Sequence, residues 1–178
     1  MDCRHNCVLQ LKTTLIMACD YDFGIGNNGT MLFHIPTDLA NYKRITMGKN
    51  LYCGRHTFED MGPLEGRHII VLSRGEVPGA DEVMHDFDEF RERLINDENG
   101  FLVGGASLVQ KLYKDIGTIF MTRVKQVFEA DTRIDDPLKH GFYISKESPW
   151  FREVGLDFKF VEYRRYKLED YNLEDEVK

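Results

Sequence analysis

Asp38 is a lone carboxylate in the apolar stretch Met31-Leu32-Phe33-His34-Ile35-Pro36-Thr37-Asp38-Leu39, directly after a glycine-rich loop. Walled by Met31, Phe33, Leu39 and Tyr42, it should hold its proton unusually tightly, because desolvation penalises the charged form of an acid. Such groups gather at sites that move protons or bind cationic ligands. Taken by itself, an acid in a first helical turn is usually a cap or a partner of the helix dipole. Three further signals stand at the ends of expected strands and decide between these readings. Gly54-Arg55-His56-Thr57 follows a strand and opens a helix, where free backbone N–H groups attract anions and the three side chains add donors. Leu72-Ser73-Arg74 again sets a hydroxyl beside a guanidinium. Gly104-Gly105-Ala106-Ser107-Leu108 lies between a strand and a helix, where missing side chains let a pyrophosphate approach the backbone. Each signal is common in isolation. Together they describe a dinucleotide lying across the carboxyl edge of a sheet. Arg55 and Arg74 suit a 2′-phosphate, which favours NADPH over NADH.

These residues need a frame that places strand ends side by side. Apolar runs at Thr13 to Cys19, Asn50 to Cys53, His68 to Ser73, Phe101 to Val103 and Thr118 to Thr122 read as strands, with a short one at Glu82 to Met84. Helices are expected over Pro36 to Met47, Thr57 to Met61, Phe87 to Leu94 and Ser107 to Tyr113. The last third reads as strands at Gln126 to Ala130 and Phe158 to Tyr163, and a final one ending near Lys167. Gly24-Ile25-Gly26-Asn27-Asn28-Gly29 reads as a flexible loop. The fold class is therefore α/β: a single domain with a twisted, mostly parallel central sheet, helices on both faces and an antiparallel C-terminal edge. Residues 1–12 read as a polar leader, 13–168 as the domain and 169–178 as an acidic tail.

Composition narrows the functions. The 178 residues carry a net charge of -7, which argues against general binding to nucleic acid or anionic membranes. No apolar run is long enough to span a bilayer, and charges at Asp2, Arg4 and Lys12 break any secretory signal, so a cytoplasmic protein is expected. Of four cysteines, Cys19 and Cys53 sit in apolar strands and read as buried free thiols. Cys3, His5 and Cys7 lack a second ligand pair, so neither a metal nor a disulfide framework is expected.

In order along the chain, Gly24-Ile25-Gly26, Pro36-Thr37-Asp38-Leu39 with Lys43, Gly54-Arg55-His56-Thr57, Leu72-Ser73-Arg74, Val103-Gly104-Gly105 and Ala130-Asp131-Thr132 resemble the motifs of the dihydrofolate reductases. The resemblance runs from about Leu15 to about Lys167. It implies NADPH-dependent reduction of 7,8-dihydrofolate to tetrahydrofolate, which feeds one-carbon metabolism. The hydride would pass from nicotinamide C4 to pterin C6, with protonation at N5. It further implies binding of antifolates and a monomer. Asp38 takes the role of the family's active-site acid, which bonds the pterin 2-amino group and N3, with Thr122 as its hydroxyl partner. Ile16, Ala18 and Val103 match positions bordering pterin and nicotinamide. Phe33, Leu39, Tyr42, Met61 and Leu64 match the substrate wall, and Arg67 the arginine that holds the glutamate α-carboxylate. Ile25, Gly26, Asn27, Asn28, Gly29 and Thr30 match a mobile loop over the nicotinamide. Gly104-Gly105 matches a strained peptide that is typically cis. Three departures stand out: Leu32-Phe33 replaces a tryptophan-containing pair, Val109 replaces a frequent tyrosine, and the loop Gly62 to Arg67 is one residue short. Another reductase on the same fold, and a structural protein that keeps the fold without turnover, are the rival readings.

Overall fold

The structure is a computed structural model that describes residues 11–166. The expected leader and acidic tail lie mainly outside those residues. Three parallel strands begin the frame: β1 (Thr13–Cys19), β4 (Asn50–Gly54) and β5 (His68–Leu72). They are joined by β6 (Glu82–Met84), β7 (Gly100–Gly104) and β8 (Ile116–Val124), and the C-terminal edge adds β10 (Phe142–Glu147), β11 (Phe151–Glu153) and β12 (Leu156–Arg165). The order across the sheet is β10-β12-β8-β1-β7-β4-β5-β6, with β11 paired to β12 off that path. Pairs from β8 to β6 are parallel, and those involving β12 are antiparallel. This is the expected fold class.

Alternation along each strand feeds two cores, because successive side chains leave a strand on opposite faces. Leu15, Tyr52, Ile70 and Leu102 pack on one face with Phe90 and Leu94 of α3 (Phe87–Asn96) and with Leu108, Val109 and Leu112 of α4 (Ala106–Leu112). Ile16, Leu51, Cys53, Ile69, Val71 and Val103 pack on the other face with Phe58 of α2 (Arg55–Met61) and with Tyr42 and Ile45 of α1 (Pro36–Thr46). Burying each such large side chain contributes roughly 1.5–3 kcal/mol. Cys19 and Cys53 are free and fully buried, and burial pushes both thiols up to about 12.

Three expectations fail, each for a physical reason. Gln126 to Ala130 is not a strand: Phe128 N donates to the Asp20 side chain and Tyr21 N to Gln126 O, so this backbone is tied to a loop instead of a ladder. The two strands expected at the C-terminal end are one, β12, preceded by β10 and β11, which the sequence reading missed. The glycine-rich segment is not an open loop. It forms β2 (Gly24–Asn27) and β3 (Thr30–Met31), which join β9 (Thr132–Arg133) in a small antiparallel sheet. Asn28 and Gly29 both take positive φ, 50° and 78°, the turn that matches strand twist in a two-residue hairpin.

Candidate active site

Asp38 lies in the first turn of α1, half-buried. It does not cap its helix: the N-cap position is Ile35, and no side chain of the first turn caps the end locally. Its carboxylate instead accepts a hydrogen bond of 2.5 Å from Thr122 Oγ1 on β8, 84 residues away. Burial raises the Asp38 pKa above the ordinary carboxylate value, and the Thr122 hydroxyl partly offsets this by bonding the charged form. Thr122 is itself buried, and it stands beside Ala18 in the β1–β8 register, so the acid sits over the carboxyl half of the central strands.

Two apolar clusters take residues from the segment that carries the acid. Ile16, Val103, Tyr42, Met61 and Leu64 belong to one apolar cluster, and the Tyr42 hydroxyl lies 3.5 Å from Met61 Sδ. Phe33 is buried in a separate cluster with Ile35, Val124 and Phe158, and packs against Phe128 at 5.6 Å between ring centroids. Leu39, next to the acid, is an exposed apolar side chain, 43% accessible. Arg67 stands past Leu64 without an ion pair among the described residues. Its Nε is buried and has no hydrogen-bond partner there, and an Nη of the same side chain lies 4.0 Å from Met47 Sδ. A buried guanidinium N–H without an acceptor is costly, and an incoming carboxylate would relieve that cost.

The three anion-directed motifs meet at one edge. β7, β4 and β5 are adjacent and parallel, so Gly104, Gly54 and Leu72 end side by side. Gly105 N donates to Thr57 Oγ1 at 2.9 Å, which ties the β7–α4 turn to the first turn of α2. Gly104 has φ of 140°, and a Cβ there would come within 3.2 Å of the Thr57 side chain, so this position admits little but glycine. The expected cis peptide is absent: no cis bond occurs among the described residues, and the close approach is met by the Gly104 torsion. The β4–β7 register shifts between Tyr52 and Cys53, which pair with Leu102 and Gly104 and leave Val103 as the extra residue on β7. An Arg55 Nη lies 4.0 Å from where a Gly75 Cβ would stand, so Arg55 neighbours the Ser73-Arg74-Gly75 turn. The two arginines are not equivalent, however. Arg55 Nε is bonded to Glu59 at 2.6 Å, whereas Arg74 is exposed and has no ion pair among the described residues. Ser73 is buried and His56 almost fully exposed. Leu108 is buried in the α4 core, while Ala106 and Ser107 begin α4.

The hairpin carrying Ile25, Gly26, Asn27, Asn28, Gly29 and Thr30 is fastened from outside. Asn28 N donates to the Asp131 carboxylate at 2.8 Å. Asp20, fully buried just past the end of β1, accepts from the N–H groups of Asp22, Gly24 and Phe128. The sequence reading missed Asp20, although an Asp followed two residues later by a turn is a recognisable local signal. Val109 is fully buried among Leu108 and Leu112 in the α4 core. Among the described residues no group of acidic, histidine or cysteine side chains could hold a metal, and no helix is long and apolar enough to cross a membrane.

A family model described as dihydrofolate reductase matches residues 12–165. The chain is 33% identical over 158 residues to a dihydrofolate reductase of Bacillus subtilis, covering 85% of this chain and 94% of that one. It is 31% identical to a type 3 dihydrofolate reductase of Salmonella typhimurium, covering 72% of this chain and 82% of the relative. A solved dihydrofolate reductase from Enterococcus faecalis, complexed with NADP(H) and RAB-propyl, superposes with a TM-score of 0.77 at 27% identity, covering 88% of this chain and 97% of that one.

Proposed function

Since the chain belongs to the dihydrofolate reductase family, we propose that it reduces 7,8-dihydrofolate with NADPH, with Asp38, Thr122 and Arg67 holding the folate. The observation that carries this reading is the Asp38–Thr122 pair: a desolvated acid, tied across the fold and facing an apolar wall. Arg67, with its unpartnered Nε, stands further along the same wall. An acid at one end and a guanidinium at the other match a ligand with a basic heterocycle and a carboxylate tail.

The residues present fit a dinucleotide. The Gly104 site that a Cβ would crowd, the Thr57–Gly105 tie and the Arg55–Gly75 proximity gather backbone donors and cations at one sheet edge. Gly54, Arg55, His56, Thr57, Ser73, Arg74 and the turn from Gly104 to Ser107 would hold the pyrophosphate and 2′-phosphate, while Ile16, Ala18 and the hairpin Ile25 to Thr30 would border the nicotinamide. NADPH supplies a hydride for C6 of the pterin when bound.

The chain's own work is positioning, exclusion of water and electrostatics. Asp38, once ionised, accepts from the 2-amino group and N3 of the pterin. Its negative charge polarises the ring and raises the proton affinity of N5, which is protonated from water. Thr122 fixes the carboxylate's orientation. The apolar side chains Phe33, Leu39, Tyr42 and Met61 strip water from the ring and from the benzoyl group. Folate and antifolates would share this cleft. Steady-state oxidation of NADPH with dihydrofolate tests the reading. Turnover that needs both compounds and falls by about two orders of magnitude or more in Asp38→Asn at neutral pH is expected, and cofactor binding without turnover would leave the structural alternative.

A further inference from the structure

Helix α1 carries the candidate acid yet supplies no cap of its own. Ile35 has no side-chain acceptor, and Pro36, at the first helical position, has no N–H to satisfy. Thr37 N is therefore the first free donor of the helix, one residue before Asp38. Its partner comes from 116 residues away: Glu153 Oε2 accepts from Thr37 N at 2.9 Å. Glu153 ends β11, which pairs with β12 through Phe151–Phe158, Arg152–Asp157 and Glu153–Leu156. The turn closing this hairpin places Val154 at φ 48° and Gly155 at φ 79°. A β-branched residue rarely adopts the first of these torsions, so the local backbone is held there against its own preference. Next in the sheet, β12 pairs with β8, where Phe160 is opposite Thr122. The acid is thus reached twice, from β8 through Thr122 on its carboxylate and from the adjoining β11–β12 hairpin through Glu153 on the backbone just ahead of it.

We propose that Glu153 is a positioning residue for Asp38: it caps α1 from the C-terminal hairpin and so fixes where the acid stands relative to Thr122. The assignment of a substrate to that site rests on the dihydrofolate reading above, but the contact itself does not. Glu153 acts through the helix end and not on the ligand.

Three variants separate the hydrogen bond from the charge. Glu153→Ala removes both, Glu153→Asp keeps the charge but falls short of Thr37, and Glu153→Gln keeps an acceptor at full length. In the ligand-free protein, Ala and Asp should quicken exchange of the Thr37 amide about five-fold or more and move the Asp38 carboxyl carbon resonance, while Gln preserves both. A 2,4-diaminopyrimidine should bind about three- to ten-fold more weakly to the Ala and Asp variants, with NADPH affinity within about two-fold of the parent. An unmoved Asp38 resonance, a parent-like Asp variant, or equal weakening of both ligands would overturn the proposal. A parent protein that binds no diaminopyrimidine would sink the folate reading alone, since the ligand-free signals still test Glu153. If Glu153→Ala does not fold, the contrast between Asp and Gln decides.

Discussion

The proposed folate end, around Asp38, and the proposed cofactor edge are built on opposite physical plans. At the folate end one acid is withdrawn from water, bonded to a buried threonine and set in an apolar wall. Its properties come from desolvation, which salt does little to screen. At the cofactor edge the charged groups Arg55, His56 and Arg74 stay in solvent, and the less exposed components are backbone and small side chains: Gly104, Gly105, Thr57 and Ser73. Exposed charges of this kind act weakly and are damped by salt. The contrast implies that chemistry concentrates in few residues at one end, while cofactor affinity is spread over many at the other.

The strongest way to break that contrast is Asp38→Asn. The amide keeps the shape and can still accept from Thr122, but it cannot carry charge. Turnover at neutral pH should fall by about two orders of magnitude or more, and the deficit should narrow in acid, where substrate arrives protonated. Stability should move the other way. Burial holds the Asp38 pKa above its ordinary value of 3.8. Between the unfolded and folded values the native chain therefore keeps a proton that the unfolded chain has lost, and stability declines as pH rises through that window. The amide does not titrate, so thermal unfolding at about pH 7 should show the Asp38→Asn variant more stable than the parent, with the gain gone below about pH 3.8. A variant both active and less stable at neutral pH would mean that the acid is not desolvated in solution.

Thr122→Val comes next. It removes the donor that favours the charged form, so the Asp38 pKa should rise further and the pH–rate profile should shift upward with it. Turnover at neutral pH should drop about ten-fold, the order of a hydrogen bond to a charged group. An unshifted profile with lower turnover would assign Thr122 to packing alone.

How legible this was depended on where each signal lay. The strands His68–Leu72 and Thr13–Cys19 and the helix from Pro36 announced themselves through local apolar runs and a proline start. The strand ends carrying Gly54, Ser73 and Gly104 followed from them. Asp38 was legible because an acid among apolar residues breaks its local pattern. Contacts made between distant segments left no such mark. Glu153 looks like any surface glutamate until the fold places it against Thr37, and β11 is too short to display a period. Gln126 to Ala130 carries strand-like residues, but a buried aspartate 108 positions earlier takes the Phe128 N–H. The hairpin at Asn28-Gly29 did have a recognisable turn. Its third strand comes from Thr132–Arg133, which no local reading supplies.

Arg67→Lys tests the far end of the apolar wall. A lysine keeps the charge but cannot present two parallel N–H groups to one carboxylate. Methotrexate, which bears a glutamate tail, should bind about ten-fold or more weakly, and a small diaminopyrimidine without the tail should change less than about two-fold. Isothermal titration of both ligands reads the difference. Parallel losses would make Arg67 a structural residue and leave Asp38 as the only anchor of the folate end.

The smallest effects should come from the cofactor edge, and there the two arginines should separate. Sequence motifs alone put them on an equal footing as 2′-phosphate ligands. In the fold, Arg55 is bonded to Glu59 one helical turn on, and a 2′-phosphate would have to compete with that carboxylate. Arg74 has no such rival among the described residues, so its guanidinium is available at once. Arg74→Ala should therefore weaken NADPH about ten-fold, and Arg55→Ala only about two- to three-fold, with NADH almost unchanged in both. Glu59→Gln supplies the control: freeing Arg55 should tighten NADPH slightly and enlarge the later cost of Arg55→Ala, a coupling that a double-mutant cycle measures. Both effects should shrink as salt rises roughly ten-fold from low to high ionic strength, because these charges face water. If losing Arg55 proved as costly as losing Asp38, the division between a concentrated folate end and a diffuse cofactor edge would not hold.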